Sequence, residues 1–503
     1  MRHVLARWLR RVAVLAGIVL VTALAIRAWE SQRGPGLEAW HTHVPKELHA
    51  AQLATADWDA YLRAEEAAFA EVRALSDTSP AGDRVKFNRY AVASPVYPPK
   101  LAHDWNRSFV LEPAGPPRGA VVLLHGLTDS PYSARHVAEL YRAHGWVAVA
   151  IRLPGHGTVP AGLTDVYWED WQAATRLAVR EARRRTAPAV PLHVVGYSNG
   201  GALAVQYALD ALEDPQLARP ARVVLLSPMI GITRFARFAG VAGWPAIFPA
   251  FAKAAWLGIR PEFNPFKYES FPVNGARQTH SLTAVLQAQI ARLAAAGRLD
   301  ALPPVLTFQS AVDFTVSTRA IVDALYAFLP PNGSELVVFD VNRASKFFPL
   351  LRSAAEATVE RVLPPPPRPW TSTVVTNPTP RSSQVIARIT PAGSGAEETR
   401  PLGLAYPEDV YSLSHVAVPF PPEDGLYGFA PDPADDAGIE LGTMTARGEV
   451  GALVVTPSAS LRLLSNPFFA YVRARIADGL DDGRMRAPNA TTSASSAAQA
   501  TGH

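Results

Sequence analysis

The sequence predicts an α/β fold with a mostly parallel central sheet and helices on both of its faces. Short, continuously apolar segments alternate along the chain with segments of amphipathic helical periodicity. Strands covered on both faces are apolar throughout, rather than alternating between apolar and polar residues. Strand and helix patterns succeed each other from residue 120 to residue 339, which is typical of crossover connections in one sheet.

Composition limits the classes of protein to which this chain can belong. Its 503 residues are 48% hydrophobic and 18% charged, enough to build a substantial core. The net charge of +4 is accounted for by Arg2, Arg7, Arg10 and Arg11, which argues against a nucleic-acid-binding face. Because the chain has no cysteine, disulfides, thiolate metal sites and cysteine nucleophiles are excluded. No metal or cofactor site is predicted.

The N-terminus has the pattern of a membrane-targeting segment. The arginines precede an apolar run at residues 12–26, intermediate in length between a signal-peptide core and a full membrane span. We favour an uncleaved signal-anchor, and a cleaved signal peptide with a site at Ala23-Leu24-Ala25 remains the alternative. In both cases the arginines stay inside, and the bulk of the chain is expected outside the cytoplasm.

The elements of the sheet follow in order. An amphipathic helix is expected at residues 47–76, and strand-like alternation between residues 84 and 113 leads into the core. Beyond these, strands and helices alternate regularly as far as Pro228. We list the predicted strands as 120–124, 146–151, 192–197, 223–226, 305–308 and 336–339, and the main helices as 131–145, 169–185, 276–298 and 317–329.

The segment Gly196-Tyr197-Ser198-Asn199-Gly200 joins a predicted strand to a predicted helix. A G-x-S-x-G motif in this setting forms a sharp turn that exposes a nucleophilic serine at the end of the sheet. Glycines are needed because neighbouring backbones approach the turn closely. Ser198 is therefore the predicted nucleophile.

Two stretches interrupt the alternation of strands and helices. Residues 229–275, here called the lid segment, are rich in aromatic residues, alanine and proline, and we expect them to form an apolar lid over a binding pocket. A buried structural subdomain is the alternative. Residues 343–405 form a second insertion. It contains a polyproline run, Pro364–Pro369, which is flanked by short strand-like pieces. The tail beyond residue 480 is rich in alanine, serine and threonine, and disorder is expected there.

A serine nucleophile needs a base, an acid that orients the base, and donors for an oxyanion. In chain order after Ser198, Asp313 follows a strand end, and His415 follows the last parallel strand after the second insertion. His125, in the loop after the first core strand, is expected to shape that loop. The backbone N–H groups of Leu127 and Asn199 are the predicted oxyanion donors.

These motifs resemble the α/β-hydrolase superfamily, in the serine aminopeptidase-like branch that includes monoacylglycerol lipases and lysophospholipases. The resemblance rests on Leu124-His125-Gly126, Pro154-Gly155-His156-Gly157, the Ser198 motif, Asp313 and His415. It spans residues 105–342 and 406–480. The insertion before His415 is longer than the family's usual short loop.

The resemblance implies a serine hydrolase acting through Ser198, Asp313 and His415. We expect a lipophilic carboxylic ester as substrate, with an aminopeptidase or amidase as the alternative and a non-catalytic, membrane-anchored binding module as a third reading. Glu262 and Glu269 are candidates for a peptidase's docking carboxylate. The acyl pocket is predicted to be lined by aromatic residues of the lid segment, namely Phe235, Phe238, Trp244, Phe248 and Trp256.

The expected division of the chain follows from these assignments, and the oligomeric state remains open. The segments are the signal-anchor or signal peptide 1–33, the N-terminal extension 34–104, the first half of the hydrolase core 105–228, the lid segment 229–275, the second half of the core 276–342, the Pro-rich insertion 343–405, the C-terminal part of the core 406–480 and the tail 481–503.

Overall fold

A computed structural model of the chain has the predicted α/β architecture. It describes residues 2–77, 87–231, 246, 249–313, 315–346, 348, 358–443 and 463–481. The central sheet has ten strands in the order β1-β3-β2-β4-β5-β8-β9-β10-β11-β12, and every neighbouring pair from β3 to β10 is parallel. The predicted fold class is therefore confirmed.

The strands are β1 (Phe109–Leu111), β2 (Gly119–Leu124), β3 (Trp146–Ile151), β4 (Leu192–Tyr197), β5 (Arg222–Leu226), β6 (Trp256–Gly258), β7 (Phe271–Pro272), β8 (Val305–Ser310), β9 (Glu335–Phe339), β10 (Thr371–Thr376), β11 (Gln384–Thr390) and β12 (Glu398–Ala405). The α-helices are α1 (Arg2–Ser31), α2 (Ala39–Thr42), α3 (Ala50–Thr55), α4 (Trp58–Asp77), α5 (Arg135–Ala143), α6 (Trp168–Arg184), α7 (Asn199–Glu213), α8 (Val273–Ala295), α9 (Thr318–Ala324), α10 (Thr358–Val362) and α11 (Phe469–Asp481). Strands β6 and β7 form a separate antiparallel pair within the lid segment.

Helices cover both faces of the sheet, which explains why its central strands are apolar throughout. Val122 and Val194 pack in one hydrophobic cluster with residues of α6, α7 and α8. Val121 and Val195, their neighbours in sequence, pack in a second cluster with residues of α5 and α11. Successive side chains of a strand point to opposite faces, so both faces of β2 and β4 need apolar residues.

The N-terminal extension differs in two respects from the prediction. In the stretch at residues 84–113, where strands were expected, the described residues form only β1, and residues 87–108 are turns, bends and a short 3-10 helix. The single helix expected at residues 47–76 is two helices, α3 and α4, which are separated at Ala56 and Asp57. The Asp57 carboxylate accepts a hydrogen bond from the backbone N–H of Ala60 at 2.7 Å, and such a bond begins a new helix. The amphipathic periodicity continues across the break, and periodicity alone did not reveal it.

The second insertion contributes to the central sheet. Strand β10 pairs in parallel with β9, from Thr371 opposite Glu335 to Val375 opposite Phe339. Strands β11 and β12 continue the sheet in antiparallel pairs. The polyproline run lies between α10 and β10 and is largely exposed. The chain therefore leaves the sheet at β12, rather than at β9, before it returns to His415.

A buried ion cluster joins the N-terminal extension to the core. The Arg152 side chain, just after β3, is fully buried. Its guanidinium donates to both carboxylate oxygens of Glu47, at 2.8 and 2.9 Å, and to Glu65 of α4 at 3.1 Å. Glu47 also accepts from the backbone N–H of Gly155 at 3.1 Å. Because each charge in this cluster has lost its water, removing one partner is expensive.

We therefore expect Glu47→Leu to lower the free energy of unfolding by about 3–5 kcal/mol, because it leaves part of a buried guanidinium unpaired. Glu66→Leu is the matched control. Glu66 pairs with Arg73 and Arg107, but its side chain is 55% exposed, and such surface pairs contribute about 1 kcal/mol or less. Urea denaturation followed by circular dichroism measures both variants. An equal decrease in the free energy of unfolding for both variants would show that the buried cluster contributes no more to stability than the exposed ion pair.

Candidate active site

Ser198 lies at a sharp turn between β4 and α7. Its backbone has φ +53° and ψ −115°, a conformation that costs a non-glycine residue free energy. Backbone hydrogen bonds hold it there: the Ser198 N–H donates to Leu226 at 3.0 Å, and the Ser198 carbonyl accepts from Met229 at 2.9 Å. The turn projects the hydroxyl beyond the carboxyl ends of the parallel strands.

The glycines of the motif are required by close packing. A Cβ atom on Gly200 would lie 2.2 Å from the carbonyl oxygen of Leu124 at the end of β2. A Cβ atom on Gly196 would lie 2.2 Å from the carbonyl oxygen of Gly200. Since both obstacles are backbone atoms, no side-chain movement can make room. These two glycines therefore let α7 start directly behind the sheet.

His415 reaches the serine from a distant part of the sequence. After β12 the chain returns to the carboxyl ends of β8 and β9, where the Ser310 hydroxyl donates to the Leu413 carbonyl at 2.8 Å and the Asn342 N–H donates to Tyr411 at 2.8 Å. The His415 ring lies over the Tyr197 ring, with centroids 5.5 Å apart. The loop is therefore fixed at positions immediately before the histidine.

The His415 ring bridges Ser198 and Asp313. Its Nε2 is 3.0 Å from the Ser198 Oγ, and its Nδ1 is 2.9 Å from Asp313 Oδ2. With Nδ1 protonated and donating to the carboxylate, Nε2 is free to accept the serine hydroxyl proton. Ser198 and His415 are 4% and 7% exposed, so the hydrogen bonds form largely out of water. The structure thus brings together the predicted nucleophile, base and acid.

The Asp313 carboxylate is held in its ionised form. Burial raises its pKa, but this effect is outweighed by the adjacent His415 and by the backbone N–H groups of Val316 and Thr315, so the pKa lies below its usual value. These two N–H groups donate to Oδ1 at 3.0 and 2.7 Å, and the Gln309 side chain donates to Oδ2 at 3.1 Å. The side chain is fully buried. Every oxygen thus has a donor that fixes its orientation.

The two predicted oxyanion donors, the backbone N–H groups of Leu127 and Asn199, belong to segments that adjoin Ser198. Asn199 is the first residue of α7, and N–H groups in a helix's first turn have no acceptor within the helix. Leu127 lies in the loop after β2, where a Cβ atom on the preceding Gly126 would lie 3.3 Å from the Ser198 Cβ. The loop that carries Leu127 therefore approaches the nucleophile closely, as an oxyanion site requires.

Three other histidines are buried and neutral. His125 and His156 follow the carboxyl ends of β2 and β3, whereas His193 lies near the amino end of β4. The His125 ring accepts from the Leu153 N–H at 2.9 Å and contacts the Gly126 carbonyl at 2.9 Å, so it supports the loop as expected. Burial lowers the pKa of His125 and lowers that of His156 to about 3. Burial likewise lowers the pKa of His193 to about 3, and its ring contacts the Tyr141 hydroxyl at 3.0 Å. None of the three hydrogen-bonds to Ser198.

The predicted pocket lies mostly outside the described residues. Phe235, Phe238, Trp244 and Phe248 all fall in that category, so their role stays a prediction. Trp256 is described: it is buried and meets the His41 ring edge-on, with centroids 4.9 Å apart. Within the described ranges, no group of three histidine, aspartate or glutamate side chains could hold a metal ion.

One residue near the site was not singled out from the sequence. Asp129 follows Leu127 by two residues, and its buried carboxylate faces back into the same loop. The available signal was an acidic residue in an otherwise small and apolar loop. Its position relative to the lid segment required the tertiary structure.

Comparisons with known proteins identify relatives of the core. A family profile described as "Serine aminopeptidase, S33" matches residues 115–340. A thermostable monoacylglycerol lipase of Bacillus sp. (strain H-257) is 24% identical over 235 residues, which are 46% of this chain and 81% of the relative.

Among solved structures, the metagenome-derived lipolytic enzymes LipS and LipT are represented by a chain with 25% identity and a TM-score of 0.35, covering 44% of this chain and 83% of that one. The Paleococcus ferrophilus monoacylglycerol lipase has 18% identity and a TM-score of 0.33, with coverage of 44% and 83%. Over residues 115–340, the core of this chain is therefore similar to the serine aminopeptidase-like branch of the α/β-hydrolase superfamily.

Proposed function

We propose that this protein is a serine hydrolase that cleaves lipophilic carboxylic esters through a Ser198–His415–Asp313 triad. The observation that carries the proposal is the His415 ring, which contacts Ser198 Oγ with one nitrogen and Asp313 with the other. A binding module that kept only the fold would have no need of these contacts. Distances of 3.0 and 2.9 Å favour catalysis over that third reading.

In the proposed reaction, Ser198 Oγ attacks the carbonyl carbon of the ester and His415 Nε2 takes its proton. The carbonyl oxygen becomes an oxyanion that accepts hydrogen bonds from the N–H groups of Leu127 and Asn199. Asp313 orients the ring and stabilises the imidazolium, which then protonates the departing alcohol. Water, activated by the same histidine, cleaves the acyl-enzyme and regenerates Ser198.

Two observations support a lipophilic substrate. The relative from Bacillus is named as a monoacylglycerol lipase. The lid segment is rich in large apolar residues and enters and leaves the core beside Ser198, since Met229 donates to the Ser198 carbonyl and Tyr268 donates to Thr128. The proposed acyl pocket would be lined by Phe235, Phe238 and their aromatic neighbours in this segment.

The amidase or aminopeptidase alternative is favoured by the description of the family profile. A peptidase would need a carboxylate free to bind a substrate's terminal amine. Glu262 is fully buried and accepts from the backbone N–H groups of Glu269 and Ser270 at 3.0 and 2.8 Å. Burial raises its pKa to about 7, although these bonds act in the opposite direction. The Glu262 carboxylate therefore stabilises the local backbone around residues 269 and 270 and is not free to bind a substrate amine, so we favour an ester substrate.

We expect a fluorophosphonate probe to label the wild-type chain and not Ser198→Ala. Asp313→Asn should reduce kcat for a short-chain ester by about 10⁴, because the amide no longer fixes His415 in the required tautomer. Labelling is measured by in-gel fluorescence, and kcat by release of nitrophenol. Ser317→Ala, which removes only a helix cap, is the control. Equal labelling of wild type and Ser198→Ala would contradict the assignment of the nucleophile.

We expect faster turnover of a monoacylglycerol and of a nitrophenyl ester than of an amino-acid amide. In a Phe235→Ser/Phe238→Ser double variant, KM should increase more for long-chain esters than for acetate, because apolar contact area scales with chain length. Steady-state kinetics over a chain-length series tests both points. Preferred hydrolysis of the amide would select the alternative function. Equal losses on all esters would show that the two phenylalanines belong to the core.

We also propose that the hydrolase domain is held at a membrane, on the side away from the cytoplasm. Helix α1 contains an apolar window, Leu5–Glu30, that is long enough to span a bilayer and is not buried in the protein. Near its end, Arg27 donates to the Trp256 carbonyl, and Gln32 donates to the Ala250 carbonyl at 2.8 Å. These bonds join the proposed anchor to the lid segment. A cleaved signal peptide remains the alternative.

A reporter that is active only in an exported compartment should be active when fused after His503, because the arginines favour the cytoplasmic side. A cytosol-specific reporter at the same position is the control, and its activity would reverse the proposed orientation. Membrane extraction separates the two alternatives for α1. Release by high salt or carbonate would argue against an integral anchor, whereas release by detergent alone would support it.

A further inference from the structure

The loop at residues 125–130, here called the oxyanion loop, contains a residue in an unfavourable conformation. Thr128 has φ +62°, in the left-handed region. For a residue with a side chain this region costs about 1–2 kcal/mol, and a β-branched side chain is among the least suited to it. Thr128 directly follows Leu127, so the way in which this strained backbone is held affects the position of the loop that carries the Leu127 N–H.

The lid segment provides one of the contacts that hold it. The backbone N–H of Tyr268 donates to the Thr128 carbonyl at 2.7 Å. The Tyr268 hydroxyl reaches the Gly155 carbonyl at 3.2 Å, so Tyr268 itself is anchored on the core. The returning part of the lid segment, residues 264–268, therefore lies against the oxyanion loop.

Asp129 provides a second contact that holds the oxyanion loop, and this contact lies within the loop itself. Its side chain is 5% exposed, and Oδ2 accepts from the Gly126 N–H at 3.4 Å. The N–H of Ser130, the Ser133 hydroxyl and the charge of Lys267 also stabilise the carboxylate. The other titratable groups that face it are Tyr197 of the serine turn and Tyr427 of the segment after His415.

We propose that Asp129 is a positioning residue: its buried carboxylate, which accepts from the Gly126 N–H within the oxyanion loop, aims the Leu127 N–H at the substrate oxyanion. Asp129 does not touch the reacting atoms. It acts by closing the loop on itself at Gly126, two residues before the strained Thr128, which the lid segment holds through the Tyr268 N–H. The lid segment would then be coupled to transition-state stabilisation as well as to substrate binding. This inference rests on the proposed function.

The charge of Asp129 makes the coupling sensitive to pH. Burial raises the pKa of Asp129 to about 6, despite the Ser133 hydroxyl, Lys267 and the loop N–H groups, which lower it. The carboxylate is therefore ionised at pH 8 and largely protonated at pH 5. Its attraction to Lys267 is present above pH 6 and is lost as the pH falls.

The test compares wild type with Asp129→Asn, Lys267→Met and the control Lys253→Met. Lys253 lies in the same lid segment, and its amine contacts the Gly34 carbonyl rather than the oxyanion loop. A nitrophenyl ester gives kcat and KM. An alkyl trifluoromethyl ketone gives a Ki that reports oxyanion binding, because Ser198 adds to its carbonyl, His415 takes the proton and the oxygen becomes an anion. Titration with a fluorophosphonate counts the folded, reactive sites.

In Asp129→Asn we expect kcat to fall about tenfold to hundredfold, less than for complete loss of an oxyanion donor, with KM changing less than about twofold. The Ki of the ketone should rise by the same factor as kcat falls. Lys267→Met should show a smaller loss of the same kind, and Lys253→Met none. The ratio of wild-type to Asp129→Asn kcat should shrink towards one as the pH falls through 6. This ratio cancels every effect of pH that the two enzymes share.

Three results would overturn the inference. They are an unchanged kcat and Ki in Asp129→Asn that titrates fully, a kcat ratio that is constant from pH 5 to pH 8, and equal behaviour of Lys267→Met and Lys253→Met. The lysine variants decide the question if Asp129→Asn does not fold. Failure of the fluorophosphonate to label the wild-type chain would be distinct from these, since it would overturn the proposed function itself.

Discussion

The site depends on a single turn of strained backbone at Ser198. The turn exists because three strand ends, those of β2, β4 and β5, surround it and supply hydrogen bonds and contacts at distances that only glycine neighbours permit. A folded core of this size can hold such strain because the cost of one left-handed residue is small beside the burial of β2 and β4 on both faces. The position of the nucleophile is therefore a property of the whole sheet.

The partners of Ser198 arrive on segments that the sheet organises. Asp313 follows β8 directly, but His415 lies 102 residues further along the chain, beyond β10, β11 and β12. After His415 the chain is secured again, because the buried Asp424 accepts from Tyr132 at 2.7 Å and from Arg135 at 2.8 Å. Contacts before and after the histidine thus fix its position at the end of a long intervening segment. The entropic cost of closing such a loop grows only slowly with its length.

Burial has different consequences for the protonation states of the ionisable groups in the core and at the site. Histidines 125, 156 and 193 are held neutral by loss of water, and their hydrogen bonds are to backbone or to a tyrosine. Asp313 is buried as well, yet its backbone and histidine donors keep its pKa low. Asp129 has no histidine hydrogen-bonded to it, and burial raises its pKa. The kind of donor that reaches the carboxylate, rather than burial alone, decides the direction of the pKa shift.

The sequence was sufficient to predict the fold class, the strands of the parallel core and the serine turn, because each depends on local patterns: apolar runs, helical periodicity and a glycine–serine motif between them. It also indicated Asp313 and His415, through chain order and strand ends. Three features appear only in the folded chain: the break between α3 and α4, the addition of β10, β11 and β12 to the sheet, and the hydrogen bond from Tyr268 of the lid segment to Thr128. Periodicity does not mark a helix boundary at which the apolar stripe continues, and it cannot tell which sheet edge a strand will join. The environment of Asp129 depends on residues 267, 268 and 427, which are distant in sequence, so no local pattern could have indicated it.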